Sequence, residues 1–271
     1  MPAPETPAAE PEITGALPTP PIPQAALVTG GARRIGRALV LALAEAGFAV
    51  AIHHNRSAAD AEALAHEVRA GGGKAAALMA DLADEAAVTA LLPAAAAALG
   101  QPIGVLVNNA STFENDTVAT ATRDSWEAHF AVNLRAPFVL IQEFAARLPP
   151  DAGGAVVNLL DERVWNLTPS FVSYTLTKSA LWTLTRTMAL ALAPRIRVNG
   201  IGPGPALPSA RQTPKQFLDR CLAMPLNRGT SPEEIAAALR FILAAPAMTG
   251  QMIALDGGEH LAWSTPSTLS C

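Results

Sequence analysis

The chain carries one tyrosine, Tyr174, and only three lysines, Lys74, Lys178 and Lys215. Tyr174 and Lys178 stand four residues apart, so both face the same side of one helix. A free phenol, with a pKa of ~10, exchanges protons poorly near neutrality. A neighbouring ammonium favours the phenolate and lowers that value. The pair thus makes a general acid that can protonate a carbonyl or an imine as a hydride arrives.

Such an acid needs a helix that starts near Phe171 and a strand edge to face. The spacing predicts a helix over Phe171–Leu192, preceded by a strand at Ala155–Leu160 and followed by one at Arg197–Ile201. Upstream, apolar runs at Ala25–Thr29, Ala49–His53, Ala75–Met79 and Val105–Asn108 read as strands. Ile35–Ala46, Ala59–Ala70, Glu85–Leu99 and Ser125–Leu148 read as helices. The Ala-rich stretch within Glu85–Leu99 contains Pro93 and reads as a buried-face helix, not a membrane span. Downstream come a helix at Pro232–Leu243 and a strand at Met252–Leu255. Continuous Val/Ile/Leu strands alternating with helices imply a parallel sheet covered on both faces. The expected fold is α/β, a doubly wound three-layer α/β/α Rossmann arrangement in a single domain.

At the first strand–helix junction lies Thr29-Gly30-Gly31-Ala32-Arg33-Arg34-Ile35-Gly36. Glycines there let a backbone approach a pyrophosphate, and the helix N-terminus offers free N–H groups and a positive dipole end. The second strand ends in His53-His54-Asn55-Arg56-Ser57, with no acid before Asp60. A ribose 2′-OH would want Asp or Glu at that place. Arg56 and Ser57, with Arg33 or Arg34 close by, suit a 2′-phosphate, so the cofactor is expected to be NADP(H). Adjacent strand residues point to opposite faces, so His53 and His54 cannot jointly hold a metal, and no metal is expected. Asp81-Leu82 follows the third strand, where an acid can touch the adenine edge or cap the next helix. Asn108-Asn109-Ala110-Ser111 follows the fourth strand and should line the ligand crevice.

Composition removes other classes. Half the residues are hydrophobic and 15% are charged, ample for a core and low for a disordered chain. A net charge of −4 gives no field that favours nucleic acid. Two cysteines, Cys221 and Cys271, build no disulfide framework, which fits a reducing, cytoplasmic setting. No run approaches the ~20 apolar residues of a membrane span. The first basic side chain is Arg33, so no secretory signal is expected. Residues 1–23 hold eight of the 23 prolines and read as a disordered tail, residues 24–263 as the Rossmann-type domain, and residues 264–271 as a second tail. Residues 203–229, rich in Pro and polar side chains, form an expected substrate loop with one short helix around Pro214–Met224, and Arg211 and Met224 are candidates to meet substrate.

These motifs together resemble the short-chain dehydrogenase/reductases over about residues 24–263. The resemblance rests on the Thr29–Gly36 turn, Asn108-Asn109-Ala110, Asn133, Tyr174/Lys178 and Pro203-Gly204. It implies that Tyr174 is the catalytic acid/base. It further implies that Lys178 binds the nicotinamide ribose and tunes Tyr174, that Asn133 holds a relay water, and that Pro203-Gly204 borders the nicotinamide. Cofactor contacts are expected from Gly30, Arg33, Arg34, Ile35, Gly36, His53, Asn55, Arg56, Ser57, Asp81, Leu82, Asn109, Ala110, Ser111, Lys178, Pro203 and Gly204. The family often forms tetramers through the helices after the fourth and fifth strands, so a homotetramer is expected.

Two departures look like the pteridine reductases, including the bacterial dihydromonapterin reductases. Arg34 stands where the general pattern has Gly, and Asp161, thirteen residues before the tyrosine, where it has Ser. Asn109-Ala110-Ser111-Thr112-Phe113 also fits that subgroup, in which an aromatic ring sandwiches the pterin against the nicotinamide. A serine hydroxyl can only hydrogen-bond a carbonyl oxygen, whereas a carboxylic acid raised in pKa can protonate a ring nitrogen. Glu162 and Arg163 read as rim residues paired with each other. The expectation is an NADPH-dependent reductase of dihydropterin- or dihydrofolate-like substrates. Asp161, Tyr174, Lys178 and Asn133 would be catalytic, and Arg34, Ser111, Phe113, Asp161 and Tyr174 would meet the substrate. The alternatives are a carbonyl or 3-oxoacyl-carrier reductase and a non-catalytic NADP(H)-binding sensor.

Overall fold

The computed structural model of the protein describes residues 19–209 and 211–262. Each short apolar run forms a strand: β1 Ala25–Val28, β2 Ala49–His54, β3 Ala75–Met79, β4 Val105–Asn108, β5 Gly154–Leu159, β6 Ile196–Pro203 and β7 Met252–Leu255. The helices are α1 Arg34–Glu45, α2 Ala58–Ala70, α3 Glu85–Leu99, α4 Arg123–Phe130, α5 Ala136–Arg147, α6 Val172–Leu192, α7 Pro214–Leu222 and α8 Pro232–Ala244.

All ladders are parallel, in the order β3-β2-β1-β4-β5-β6-β7. A parallel sheet is buried on both faces, which is why alternate strand residues feed two separate cores. Ala26, Val28, Val50 and Ile52 pack with Leu39 and Leu43 of α1, Leu64 of α2 and Leu239 of α8. Leu27, Ala51, Leu106 and Val156 pack on the other face with Leu91 of α3, Phe144 of α5 and Ala189 of α6. The chain runs outward from β1 to β3 and then returns to place β4 beside β1. That reversal opens a crevice at the carboxyl ends of β1 and β4, where a parallel sheet binds ligands. Among the described residues, no helix is long and apolar enough to cross a membrane.

Three places in the elements go beyond what the residue pattern gave. The single helix expected over Ser125–Leu148 is interrupted by a π-helical segment, Ala131–Arg135. Pro137 has no N–H to offer the carbonyl of Asn133, so the α ladder cannot continue through it. The Ala136 N–H instead reaches the Ala131 carbonyl, five residues back. Second, Pro21 and Ile22, expected within the Pro-rich tail, are held against the domain. The Pro21 carbonyl accepts from Gly153 N–H at 3.1 Å and Ile22 packs against the core. Residues 1–18 and 263–271, which include the expected C-terminal tail, lie outside the described residues. Third, α3 is capped by Asp84, which accepts from Ala86 N–H. Asp81 instead turns back onto Ala83 N–H at 3.0 Å.

His53 joins the first three strands. Its Nδ1 accepts from Gly30 N–H at 3.0 Å, and its Nε2–H donates to the Ala80 carbonyl at 3.1 Å. Only one neutral tautomer satisfies both bonds. The ring is 2% exposed, and burial holds its pKa down to about 4. The unfolded chain takes up a proton near pH 6.5, which the folded chain refuses until about pH 4. Stability is therefore intact above pH 6.5 and falls as pH drops from there towards 4, by on the order of 3 kcal/mol. Urea unfolding of the wild type and of His53→Asn, at neutral and mildly acid pH, should show a smaller acid loss in the variant. Equal losses would refute this account.

Candidate active site

At the crevice, Thr29 ties β1 to β4. Its amide donates to the Val107 carbonyl at 3.0 Å, and its Oγ1 accepts from the amides of Asn109 and Ala110 at 2.9 and 3.0 Å. The Asn109 side-chain amide donates to the carbonyls of Thr29 and Gly30 at 2.9 and 3.0 Å. The glycine turn is thus fastened from two sides, by Asn109 and by His53. With both ring nitrogens taken by the protein, His53 braces the turn and has neither to offer a ligand as a hydrogen-bond partner. A Cβ at Gly36 would collide with the Gly30 carbonyl, so glycine is required for this close approach.

The N-terminus of α1 faces the same crevice. Its N-cap, Arg33, supplies no capping side chain, and no acid stands in its first turn. The first N–H groups of α1 therefore remain for an anion. Exposed Arg33 lies 3.6 Å from Asp60 of α2, beside the Asn55-Arg56-Ser57 end of β2. Arg34 adopts a left-handed backbone, φ 55°, which explains why glycine suits this position. Its guanidinium donates to the carbonyls of Pro208 and Leu207 at 3.0 and 3.4 Å and so ties the turn to the 203–229 loop. Ile35 is half-buried, Leu82 is buried and Asp81 is exposed at the end of β3. Pro203 ends β6, with Gly204 next to Asp256.

The chemical groups gather across β4, β5 and α6. The Tyr174 hydroxyl donates to Asp161 Oδ2 at 2.8 Å. Lys178, 3% exposed, donates to the carbonyl of Leu159, the last residue of β5, at 2.7 Å. Burial lowers the Lys178 pKa to about 8, with Asp161 opposing. Burial, then the charge of Asp161 and the hydrogen bond to it, hold the Tyr174 hydroxyl well above its ordinary value. This reverses the lowering that Lys178 alone was expected to give. The ammonium serves the Leu159 carbonyl, and the nearest acceptor to the phenol is a carboxylate.

Asn133, 1% exposed and inside the π-helical segment, accepts from Thr112 N–H at 2.7 Å. It donates to the Thr112 carbonyl at 2.9 Å and to Thr177 Oγ1 at 3.2 Å. Its side chain therefore pins the 111–113 segment to α6. Ser111 is exposed and reaches Asn133 Oδ1 at 3.3 Å. Phe113 stacks on Phe171, with centroids 4.5 Å apart and planes 3° apart, and meets Tyr174 edge-on at 4.6 Å. One face of Phe113 thus has an intramolecular partner here. A flat ligand would use the opposite face or displace Phe171.

Glu162 and Arg163 are not rim residues. They are 2% and 7% exposed, on a 3₁₀ turn directly after Asp161. Burial, then the charges of Asp161 and Glu259, push Glu162 up to about 9. Arg220 of α7 reaches Glu162 at 3.4 Å and Glu259 at 3.2 Å. Exposed Arg211 ties the loop to Glu114 and to the Phe113 carbonyl, while Met224 is buried against Gly257. Asn115 and Asp116 accept the N–H groups of Phe171 and Ser173 at the start of α6. Phe171 itself is left-handed, φ 58°, and offers no side-chain cap. Nothing in the residue pattern marked this loop as the cap of α6.

The comparisons with known proteins agree with this geometry. The family model described as short chain dehydrogenase matches residues 24–216. An uncharacterised oxidoreductase of Mycobacterium tuberculosis is 36% identical over 242 residues, 86% of this chain and 90% of the relative. A 3-oxoacyl-acyl-carrier-protein reductase of Synechocystis is 31% identical over 240 residues, 87% of this chain and 96% of that one. Among solved structures, FolM alternative dihydrofolate reductase 1 from Brucella suis, in complex with NADP, superposes with a TM-score of 0.86. It is 51% identical and covers 89% of this chain and 96% of that chain. With the family's turn, crevice and Tyr174/Lys178 pair on one parallel sheet, the chain belongs to the short-chain dehydrogenase family.

Proposed function

We propose that the protein is an NADPH-dependent reductase of a C=N bond in a dihydropterin- or dihydrofolate-like heterocycle. The observation that carries this reading is the carboxylate of Asp161 in contact with the Tyr174 hydroxyl, where the general family pattern has a serine. The 51% identity to a Brucella alternative dihydrofolate reductase in complex with NADP supports it.

The residues present fit such a cofactor. The uncapped N-terminus of α1 and the close-packed Gly30/Gly36 turn suit a pyrophosphate. Arg33, Arg56 and Ser57, with Asn55 and no acid at the end of β2, suit a 2′-phosphate. Ile35, Asp81, Leu82, Asn109, Ala110, Ser111, Pro203 and Gly204 complete the lining. Bound there, NADPH would supply the hydride. Tyr174 would pass its hydroxyl proton to the nitrogen of the reduced bond, and Lys178 would hold a ribose hydroxyl from the floor of the site. Asp161 would orient the phenol and pair with the amino-pyrimidinone edge of a pterin, with Phe113, Ser111 and Arg34 along the substrate's path. Asn133 would serve the proton relay by fixing the 111–113 segment beside Thr177.

The carbonyl reductase reading draws on the Synechocystis relative, and the substrate test below separates the two. A homotetramer and a cytoplasmic location are part of the proposal. The outer sides of α4 and α6 keep Trp126, Leu176 and Leu190 exposed, at 40%, 44% and 84%, as helices awaiting partners would.

Purified protein should oxidise NADPH with dihydrobiopterin, dihydromonapterin or dihydrofolate, and Asp161→Ser should lose that activity while still binding NADPH. Turnover with ketones or oxoacyl substrates alone would sink the pterin reading, and NADPH binding without any turnover would favour the sensor. Because Tyr174 is the sole tyrosine, the ultraviolet band of tyrosinate reports it alone. Asp161→Asn should bring that titration down in pH, since it removes the negative charge that raises it and offers an amide N–H to the phenolate. An unchanged titration would refute the coupling. Light scattering should give four chains per particle, and a monomer would remove the tetramer.

A further inference from the structure

Arg163 is the buried cation for which the mechanism above has no use. A guanidinium taken out of water without a counter-charge costs several kcal/mol, so its partners indicate its purpose. The Arg163 amide donates to Asp161 Oδ1 at 3.0 Å, and its Nη1 lies 3.7 Å from Asp161 Oδ2. One residue thus holds both oxygens of the carboxylate, and Oδ2 is the oxygen that receives the Tyr174 hydroxyl. The guanidinium also lies over the stacked pair, 5.0 Å from the centroid of Phe171 and 5.6 Å from that of Phe113. Among the described residues Arg163 Nε has no hydrogen-bond partner, and the guanidinium meets the carboxylate and the two rings.

We propose that Arg163 is a positioning residue for the acid, holding Asp161 Oδ2 against the Tyr174 hydroxyl, compensating the charge of that pair and fixing the aromatic wall beside it. The proposal rests on the reading of Tyr174 as the acid. The charged and titratable groups around the pair are Asp161 and Glu162 on its own turn, Tyr174 and Lys178 on α6, Arg220 on α7 and Glu259 near the C-terminus. Lys178 is committed to the Leu159 carbonyl and Arg220 to Glu162 and Glu259. Burial opposes the Arg163 charge, but Asp161 and then Glu162 hold its pKa above the ordinary value. The Arg163 charge in turn favours the phenolate, against Asp161 and Glu162.

The experiment compares Arg163→Gln and Arg163→Lys in the full chain. Arg163→Gln should lower kcat with a dihydropterin by about tenfold or more and shift the basic limb of the pH profile, with the NADPH Kd within about twofold. Arg163→Lys keeps the charge but loses the planar fork, so it should keep the wild-type pH profile and recover part of kcat, with a raised KM. In an Asp161→Asn background, adding Arg163→Gln should move the tyrosinate titration up by about half a pH unit or more. Coincident titrations, or an Arg163→Gln enzyme with wild-type kcat and pH profile, would overturn the proposal. Should Arg163→Gln fail to fold, Arg163→Lys decides alone. A wild-type pH profile with raised KM supports the proposal. Wild-type values throughout, or a shifted profile despite the retained charge, overturn it. A wild-type enzyme inert towards dihydropterins would fail the substrate reading only, because the tyrosine titration needs no substrate.

Discussion

A carboxylate withdrawn from water must be surrounded by donors, and the architecture of the site follows from how Asp161 meets that demand. It stands just past β5, where the strand has ended and can give it no ladder partner. Its donors come from the turn it begins and from the first turns of α6. The phenol of Tyr174 is thereby aimed at a fixed oxygen. The start of α6 is set in turn by a loop from beyond β4, whose Asn115 and Asp116 accept its first N–H groups.

The cofactor end solves a different problem. A glycine turn that leaves its helix uncapped gives up local stability to keep donors for an anion. The protein restores rigidity from behind, through the Asn109 amide and the His53 ring. Neither brace carries charge, so neither competes with an incoming phosphate. Arg34 spans the two ends. Its left-handed backbone belongs to the turn, and its guanidinium holds the 203–229 loop at the carbonyls of Leu207 and Pro208.

Much of this was legible in the residues. Strands of a parallel sheet are continuous apolar runs, so all seven could be placed, and the i, i+4 spacing put Tyr174 and Lys178 on one face. Asp161 stood out by its distance from the tyrosine. What stayed hidden depends on how a neighbour is packed. A charged pair such as Glu162-Arg163 ordinarily lies in solvent, and only the α7 and C-terminal contacts explain its burial. Pro137 sits inside an apolar helical pattern, and its effect on the carbonyl of Asn133 shows only when the ladder is built. Strand alternation set His53 and His54 on opposite faces but could not show that both ring nitrogens of His53 would be engaged.

The two ends of the site also differ in how far along the chain they reach. The bond from Tyr174 to Asp161 spans 13 residues and that from Lys178 to Leu159 spans 19, so a single β5–α6 unit contains them. The Asn109 bonds to the glycine turn span about 80 residues and exist only once β4 has docked beside β1. Contacts between distant parts of a chain must bear the entropy of closing a long loop before they stabilise anything. During folding, Asp161, Tyr174 and Lys178 can meet within one local unit, while the glycine turn must wait for the sheet to reverse direction.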